Sequence, residues 1–379
     1  MAGGFDVVVI GGGITGLMTA WNLADGGARV ALVEAGDLGA EASGANAGSL
    51  HLQIQYPEFA LYGEDWARAY GPCLGFLKAS LDLWQALSER VGEDLDVKLG
   101  GGIIVAQNDE QMRLIARKAR IEAAHGVETT LLDGGQLRAL APYLTNTAVG
   151  GGFCALEGKA NPLRATPAVA LAAQRAGVTI MRKTTVTGIS AETGGFQIAT
   201  SNGLLEAQRV VNAAGARAGE IAAMLGVAIE IDGFPLQVTV TEPVAPLIPH
   251  LVYSAAGKLS LKQAANGGCI IGGGWPAALR ANGTLFIDPA SLTGNMGVAA
   301  GVVPKLGQMR AIRSWTAWVN GTPDWRPILG EVPNRPGFFL ALFPWVGFSA
   351  APMTAKVIAE LVLGRRPSTD LKGVSVLAD

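Results

Sequence analysis

The fold is decided by the segment FDVVVIGGGITGLMTAWNLADGGARVALVE, residues 5–34. Its first apolar run, Phe5–Ile10, predicts a short strand that is buried on both faces. A glycine-rich turn follows, and the next residues have helical periodicity as far as Gly26 and Gly27, where the helix is predicted to end. A second apolar run ends at Glu34. Together these parts predict a strand–helix–strand unit with parallel strands.

Gly11, Gly13 and Gly16 form the pattern G-x-G-x-x-G where this strand meets the helix. The first glycine permits a tight turn, the second lets a pyrophosphate approach the backbone, and the third lets helix and strand pack closely. Glu34 ends the next strand and is placed to accept hydrogen bonds from ribose hydroxyls. The pattern predicts a dinucleotide-binding site, and the alternative is a glycine turn beside a surface acid.

The composition sets the size and class of the protein around this unit. The chain has 379 residues, of which 49% are hydrophobic and 16% are charged, as is typical of globular proteins with a large core. A chain of this length favours two domains. The net charge of -2 gives no electrostatic reason to expect a nucleic acid or an anionic membrane as a partner.

The three cysteines, Cys73, Cys154 and Cys269, are far apart in the sequence and form no Cys-x-x-Cys pair. We therefore expect neither a zinc site nor an iron–sulfur centre, and no other metal site, in this chain. Isolated cysteines are typical of buried residues in a reducing compartment. We find no signal-peptide pattern and no apolar segment long enough to span a bilayer, so we expect a cytoplasmic location.

Several segments together resemble the FAD-dependent oxidoreductases of the D-amino-acid oxidase type, which include glycine and sarcosine oxidases. These segments are VVVIGGGITGLMTAWNLADGGARVALVEAG (7–36), SGANAG (43–48), RVVNAAGARAGEIAAMLG (209–226), DWRPILGEVP (324–333) and GFFLALFPWVGFSAAPMTAKVIAEL (337–361). Within this family, the longer stretch SGANAGSLHLQ (43–53) is most similar to the β subunits of opine, D-hydroxyproline and L-proline dehydrogenases and of hydrogen cyanide synthase.

The chain pattern and the resemblance together predict an α/β protein (α+β, two domains), with a Rossmann-like FAD-binding domain and an inserted antiparallel-sheet substrate domain. We expect the discontinuous FAD-binding domain to comprise residues 1–85, 150–225 and 323–379. Residues 86–149 and 226–322 are predicted to form the substrate-binding domain.

Three elements outside the first unit are predicted from local patterns. Residues 97–107 favour a hairpin split by glycines, residues 109–126 favour a charged surface helix, and alternation from Val227 to Val319 favours antiparallel strands.

The resemblance implies non-covalent FAD, because relatives that attach FAD through a cysteine carry it before the C-terminal turn, where none occurs here. Residues 43–50 would pass beneath the isoalloxazine ring, and residues 345–349 would place backbone N–H groups beside flavin N1 and O2. The alternatives are an ordinary glycine-rich loop for residues 43–50 and a helix start that closes the domain for residues 345–349. The implied cofactor-binding residues are Gly11, Gly13, Ile14, Thr15, Gly16, Glu34, Ala35, Ser43, Gly44, Ala45, Asn46, Ala47, Gly48, Ser49, Leu50, Val186, Ala213, Ala214, Gly215, Trp345, Val346, Gly347, Phe348 and Ser349.

The implied reaction transfers a hydride from a C–H bond next to nitrogen to flavin N5. Trp345 stands near the place where oxidases of this family carry a carboxylate-binding arginine, so the resemblance does not identify the substrate. The polar candidates are His51, Gln53, Tyr253, Lys258, Lys262, Arg313 and Arg326, of which we name His51, Tyr253, Lys262 and Arg326 as candidate catalytic residues.

Each of these four residues also has a structural alternative. His51 is equally consistent with packing on its own backbone, and Tyr253 and Lys262 with a solvated sheet face. Arg326 is consistent with an ion pair near Asp324. The other two histidines, His125 and His250, are predicted at the surface.

The resemblance favours the catalytic β subunit of a dye- or quinone-linked dehydrogenase that acts on a secondary amino acid or an opine. Its expected partners are an electron-transfer α subunit and an iron–sulfur subunit, with FMN as a possible cofactor at a subunit interface. The first alternative is a self-sufficient, oxygen-using amino-acid oxidase of the glycine, sarcosine or D-amino-acid oxidase type. The second alternative is a flavin-bound subunit without catalytic activity.

Overall fold

The computed structural model describes residues 4–375 and residue 377. In chain order, the strands are β1 Phe5–Ile10, β2 Val30–Val33, β3 Ser49–Leu50, β4 Gly102–Ala106, β5 Thr130–Asp133, β6 Gly150–Cys154, β7 Gly158–Lys159, β8 Thr179–Met181, β9 Val186–Glu192, β10 Gly195–Thr200, β11 Gly203–Asn212, β12 Asp232–Pro243, β13 Leu251–Ser254, β14 Ser260–Gln263, β15 Gly268–Gly272, β16 Ala278–Leu279, β17 Leu285–Phe286, β18 Ala311–Gly321, β19 Ile328–Glu331 and β20 Phe338–Leu342.

The α-helices are α1 Ile14–Asp25, α2 Ala42–Ala45, α3 Tyr56–Tyr70, α4 Pro72–Val91, α5 Asp109–Ala123, α6 Gly134–Leu140, α7 Pro162–Arg175, α8 Ala218–Ala223, α9 Pro289–Val302 and α10 Gly347–Val362. Gly215–Arg217 and Pro304–Gln308 form short 3-10 helices. No helix in the described part of the chain is both long enough and apolar enough to cross a membrane.

The first sheet contains the predicted strand–helix–strand unit. Its main strand order is β19-β20-β11-β1-β2-β8, and β9 and β10 extend it from β11. Strand β1 is parallel to both β11 and β2. Val7 and Val9 join the core that contains α1 and α10, whereas Val8 and Ile10 join a second core on the opposite face. The prediction of a strand buried on both faces is therefore confirmed.

The second sheet has the order β18-β12-β15-β14-β13-β4-β6-β5. Its pairs are antiparallel except β13 with β4, which are parallel. The α/β fold class with a Rossmann-like domain and a second, largely antiparallel sheet is thus confirmed. The domain boundaries stay a prediction. Strand β6 lies between β4 and β5 in the second sheet, although the expected boundary at residue 150 assigns it to the FAD-binding domain.

One local prediction about the second sheet was wrong. Residues 97–107 form no hairpin but one strand, β4, because their glycines serve close packing instead of a turn. A Cβ atom at Gly101 would lie 2.2 Å from the Phe153 ring, and one at Gly102 would lie 1.9 Å from Glu157 Oε2. The antiparallel strands predicted between Val227 and Val319 are confirmed. This segment also contains a helix, α9, whose start is marked by Asp288 accepting a hydrogen bond from the Ser291 N–H (2.9 Å).

Candidate functional site

The glycine pattern forms a turn that has no room for side chains. Gly11 has a φ of +115°, and a Cβ atom there would lie 2.4 Å from the Ala213 carbonyl oxygen. A Cβ atom at Gly16 would lie 2.0 Å from the Gly11 carbonyl oxygen. The Ala213 N–H donates to the Ile10 carbonyl (2.8 Å), so the end of β11 is fixed beside the turn. The structure therefore brings the predicted segments 11–16 and 213–215 together.

Glu34 and Ser43 complete this turn from two other segments. The Glu34 carboxylate accepts hydrogen bonds from the N–H groups of Gly12 (2.7 Å) and Gly36 (2.6 Å). Each carboxylate oxygen retains capacity for a further donor, such as a ribose hydroxyl. Ser43 Oγ accepts from the Ile14 N–H (2.9 Å) and so satisfies one donor at the start of α1. The Thr184 N–H donates to the Glu34 carbonyl (2.9 Å), which places the segment leading to Val186 nearby.

Residues 43–50, the small-residue segment, are held in a closed turn by the side chain of Asn46. Asn46 Nδ2 donates to the carbonyls of Ala42 (3.0 Å) and Ser43 (2.8 Å), and its Oδ1 accepts from the Gly48 N–H (2.6 Å). Gly48 has a φ of +76°, and a Cβ atom there would lie 2.5 Å from Lys262 Nζ. The segment therefore approaches a buried cation at a distance that only glycine allows.

The C-terminal turn is hydrogen-bonded to this segment. Ser349 Oγ accepts from the His51 N–H (2.8 Å) and donates to the Ser49 carbonyl (3.3 Å). From the second sheet, Trp315 Nε1 donates to the Ala45 carbonyl (2.6 Å). Residues 43–51 and 345–349 are separated by about three hundred positions in the sequence, and these hydrogen bonds bring them into one region beside the second sheet.

These residues fit a flavin dinucleotide, which such a glycine turn would hold. Helix α1 begins at Ile14, and the N-cap residue Gly13 has no side chain to cap it, so the partial positive charge there suits phosphate. Trp345 lies in the C-terminal turn with a φ of +57°, and its buried Nε1 donor finds no acceptor among residues 4–375 and 377. A cradle without side chains and an unsatisfied buried donor are both consistent with a large bound group.

Beside the small-residue segment lies a buried carboxylate that the sequence analysis missed. Glu157 is fully buried and accepts hydrogen bonds from the N–H groups of Leu52 (2.7 Å) and Gln53 (2.9 Å). It also accepts from Gln53 Nε2 (2.8 Å) and from the Tyr253 hydroxyl (3.0 Å). Burial raises the pKa of Glu157 above its usual value, while these donors oppose that rise.

Tyr253 connects this carboxylate to His51. The Tyr253 hydroxyl oxygen lies 2.8 Å from His51 Nδ1. Burial, reinforced by the Lys262 charge, lowers the pKa of His51 to about 3, so the imidazole is neutral at neutral pH. Burial and Glu157 raise the pKa of Tyr253 well above its ordinary value, so its phenol keeps its proton.

A second buried ion pair supports the same segment. Lys118 and Glu122, both on α5 and both fully buried, are 2.5 Å apart. Glu122 also accepts from the Ile54 N–H (2.7 Å), and Lys118 donates to Gln53 Oε1 (3.2 Å). The predicted surface helix therefore buries one of its charged faces, and the backbone of residues 52–54 is held by two carboxylates.

Lys262 faces the same region without a partner. The residue is 3% exposed, and its ammonium forms no hydrogen bond or ion pair within the described residues. Burial and the nearby Lys159 charge lower its pKa well below the usual value for lysine. Tyr253 is 5% exposed, so the solvated sheet face considered for Tyr253 and Lys262 does not occur.

Arg326 lies elsewhere. It lines a cavity of about 320 Å³ together with Glu230, Asp324 and Leu377. Its backbone N–H donates to Asp324 Oδ1 (3.0 Å). The structure thus groups His51, Tyr253 and Lys262, and Arg326 lines a cavity that none of these three residues lines.

The remaining polar candidates are distributed as follows. Gln53 belongs to the network around Glu157, whereas Lys258 and Arg313 are exposed. The prediction of a surface position was wrong for His250, which is 8% exposed and lies 2.8 Å from the Tyr143 hydroxyl. Glu157 had one available signal, since it follows the end of β6 directly after an apolar run, but nothing in the sequence indicated its partners.

A glycine turn at a strand–helix junction, with an acidic residue ending the next strand, defines a dinucleotide-binding protein of the Rossmann-like class. The chain belongs to the DAO family of FAD dependent oxidoreductases, which matches residues 6–361. It is an oxidoreductase of that family, and FAD is the family's cofactor.

Individual proteins match nearly the whole chain. Glycine oxidase of Geobacillus kaustophilus is 29% identical over 98% of this chain and 96% of its own. An opine oxidase subunit of Rhizobium meliloti is 27% identical over 97% of this chain and 95% of its own. The crystal structure of L-proline dehydrogenase from P. horikoshii superposes with a TM-score of 0.85 and 26% identity, and the match covers 100% of this chain and 96% of that one.

Proposed function

We propose that this chain is the catalytic β subunit of a multi-subunit dehydrogenase that oxidises the C–H bond next to nitrogen in a secondary amino acid or an opine. One observation carries the proposal: a buried Lys262 side chain, which has no partner within the described residues, and a neutral His51 face the same region beside the small-residue segment. A cation and a neutral acceptor side by side suit a substrate that carries a carboxylate and an amine. Bound FAD would supply the hydride acceptor.

The substrate-binding roles follow from charge and burial. Lys262 would pair with the substrate carboxylate, because a buried ammonium gains most from an anionic partner. His51 would accept a hydrogen bond from the substrate nitrogen, and Tyr253 would hold the imidazole in place. The geometry favours Lys262 over Arg326 as the carboxylate contact, since Arg326 lines the separate cavity.

The FAD-binding residues proposed from the sequence are supported by the glycine turn, and a paired substitution tests them. A Cβ atom at Gly13 would lie 2.9 Å from Ser43 Oγ, whereas one at Gly75 in α4 would meet nothing within 4 Å. We expect Gly13→Leu to give soluble, colourless protein and Gly75→Leu to remain yellow. A yellow Gly13→Leu protein would overturn the pyrophosphate assignment.

The proposed partners are an electron-transfer α subunit and an iron–sulfur subunit, with FMN at a subunit interface. Their support is the similarity to a protein whose name makes it one subunit of an opine oxidase. Purification of the chain from its native host, followed by cofactor analysis of whatever co-purifies, tests this directly. Co-purification of a single polypeptide with FAD alone would contradict it.

The self-sufficient oxidase is the second candidate, and the similarity to glycine oxidase favours it. Anaerobic reduction by substrate, followed by timed exposure to air, separates the two functions. Reoxidation of the flavin within one catalytic turnover would exclude the dehydrogenase. If a broad panel of amino acids and opines never bleaches the flavin of the intact complex, the non-catalytic subunit is favoured instead.

A further inference from the structure

The hydrogen bonds around Glu157 have a definite direction. Two backbone N–H groups, from Leu52 and Gln53, point at its Oε1 atom, and the Gln53 amide donates to Oε2. Three N–H donors on the two oxygens favour the ionised carboxylate, which can only accept. The Tyr253 hydroxyl, 3.0 Å from Oε1, must therefore donate its proton to Glu157.

This direction also fixes the direction of the hydrogen bond between Tyr253 and His51. Because the Tyr253 proton is committed to Glu157, the phenol oxygen can only accept from His51 Nδ1, 2.8 Å away. A neutral imidazole carries one proton, so a proton on Nδ1 leaves Nε2 with a free lone pair. Nε2 forms no hydrogen bond within the described part of the chain, and the residue is half-buried.

We propose that Glu157 is a positioning residue, which acts through Tyr253 to hold His51 in the Nδ1–H tautomer and so presents Nε2 as the acceptor for a substrate N–H group. This inference rests on the proposed function and deepens it. The substrate class it selects is a carboxylate-bearing amine whose neutral nitrogen still carries a hydrogen.

The arrangement assists the reaction as well as binding. When the C–H bond next to the nitrogen breaks with loss of hydride, positive charge develops on that nitrogen, and its N–H becomes a charge-assisted donor to Nε2. The hydrogen bond therefore strengthens in the transition state, which is the condition for raising kcat. Primary and secondary amines keep an N–H for this contact, whereas tertiary amines have none.

The chain contains a natural control. His250 Nδ1 also lies 2.8 Å from a tyrosine hydroxyl, that of Tyr143. Tyr143 forms no other side-chain hydrogen bond in residues 4–375 and 377, so nothing fixes the direction of its proton. We therefore do not expect the Tyr143 hydroxyl to hold His250 in one tautomer, as Tyr253 holds His51.

The test is nitrogen NMR on flavin-loaded protein that contains 15N-labelled histidine. The sequence has three histidines, so few signals need to be resolved. His125→Gln and His250→Gln assign the signals. We expect a pyrrole-type signal for His51 Nδ1 and a pyridine-type signal for Nε2 in the wild type. Tyr253→Phe should shift His51 toward the Nε2–H form, and Glu157→Gln, which replaces a charge-assisted acceptor by a neutral one, should give a mixture.

Three NMR results would overturn the proposal: an Nε2–H form of His51 in the wild type, no change in Tyr253→Phe, or a Glu157→Gln spectrum identical to the wild type. Tyr143→Phe should leave the His51 signals unchanged. If a variant does not fold, the wild-type spectrum alone still decides the tautomer.

Flavin bleaching separates this inference from the proposed function. Sarcosine and proline are compared with their N-methyl derivatives, and we expect Tyr253→Phe to lower kcat/KM for the secondary amines about tenfold to a hundredfold, mainly through kcat. Equal rates with the tertiary derivatives would overturn the N–H contact. An Nδ1–H tautomer together with a flavin that no amine bleaches would uphold the positioning and overturn amine oxidation.

Discussion

The molecule contains two tyrosine–histidine pairs with the same oxygen–nitrogen distance of 2.8 Å, Tyr253 with His51 and Tyr143 with His250. The first pair is anchored by the buried carboxylate of Glu157, and the second has no such anchor in the described residues. In both pairs burial lowers the pKa of the histidine. The contact distance alone therefore does not define a site. The third, charged group beyond the tyrosine does.

The largest expected effect comes from removing that third group. Glu157→Leu leaves two backbone N–H groups and the Tyr253 hydroxyl without an acceptor in a buried position. Loss of one partner from a buried charged network destabilises a protein by about 3–5 kcal/mol. We expect a decrease of this size in the free energy of unfolding, measured by urea denaturation.

Tyr143→Phe is the matched control, because it removes one hydroxyl from a pair without a carboxylate. Its expected cost is about 1 kcal/mol. Equal losses for Glu157→Leu and Tyr143→Phe would mean that the carboxylate is not what distinguishes the two pairs.

The two histidines should also differ in how strongly they make the free energy of unfolding depend on pH. Folded His51 takes up a proton only near pH 3, whereas an unfolded histidine does so near pH 6.5, so the unfolded state binds more protons between these values. The free energy of unfolding should therefore fall as the pH decreases from about 6.5 toward 3, with about 2–4 kcal/mol due to His51.

His51→Gln should remove this part of the acid sensitivity, measured as the change in urea midpoint between pH 7 and pH 4. His250→Gln should remove a smaller part, since burial and the Lys159 charge lower its pKa in the same direction but less far. A larger effect of His250→Gln would reverse the comparison.

The sequence predicted the parts of this molecule that depend on local pattern. Apolar runs and glycines gave the strand–helix–strand unit and its turn, because β1 is buried on both faces and Gly11 and Gly16 have no room for a Cβ atom. His51, Tyr253 and Lys262 were predicted as candidate catalytic residues from their polar side chains and from the family resemblance. Their assembly into one region could not be predicted from any local pattern.

Glu157 and the α5 ion pair show why. Glu157 meets Gln53 from 104 positions away, and Tyr253 from 96 positions away. Charged residues of an amphipathic helix normally face solvent. Lys118 and Glu122 can be buried here because Gln53 and Ile54, from a distant segment, supply hydrogen-bond partners. Long-range pairing of buried charges leaves no periodic trace in a sequence.

The smallest expected effect concerns the cation beside each histidine, and it should differ in sign. Lys262 lies near His51 and has no acceptor within the described chain, whereas Lys159, near His250, donates to the Gln263 carbonyl (2.5 Å). Replacing a buried, unpaired charge by an apolar side chain of similar shape relieves a desolvation penalty. We therefore expect Lys262→Met to raise the free energy of unfolding by about 1–2 kcal/mol in urea denaturation.

Lys159→Met should instead lower the free energy of unfolding by about 1 kcal/mol, since it leaves the Gln263 carbonyl without its donor. The stabilised Lys262→Met protein should also bind carboxylate-bearing ligands at least about tenfold more weakly, because truncation removes their charged partner. A gain in stability with a loss of affinity is the pattern of a charge kept for binding. If Lys262→Met destabilises the protein as Lys159→Met does, then Lys262 is a structural residue and the carboxylate of the substrate is held elsewhere.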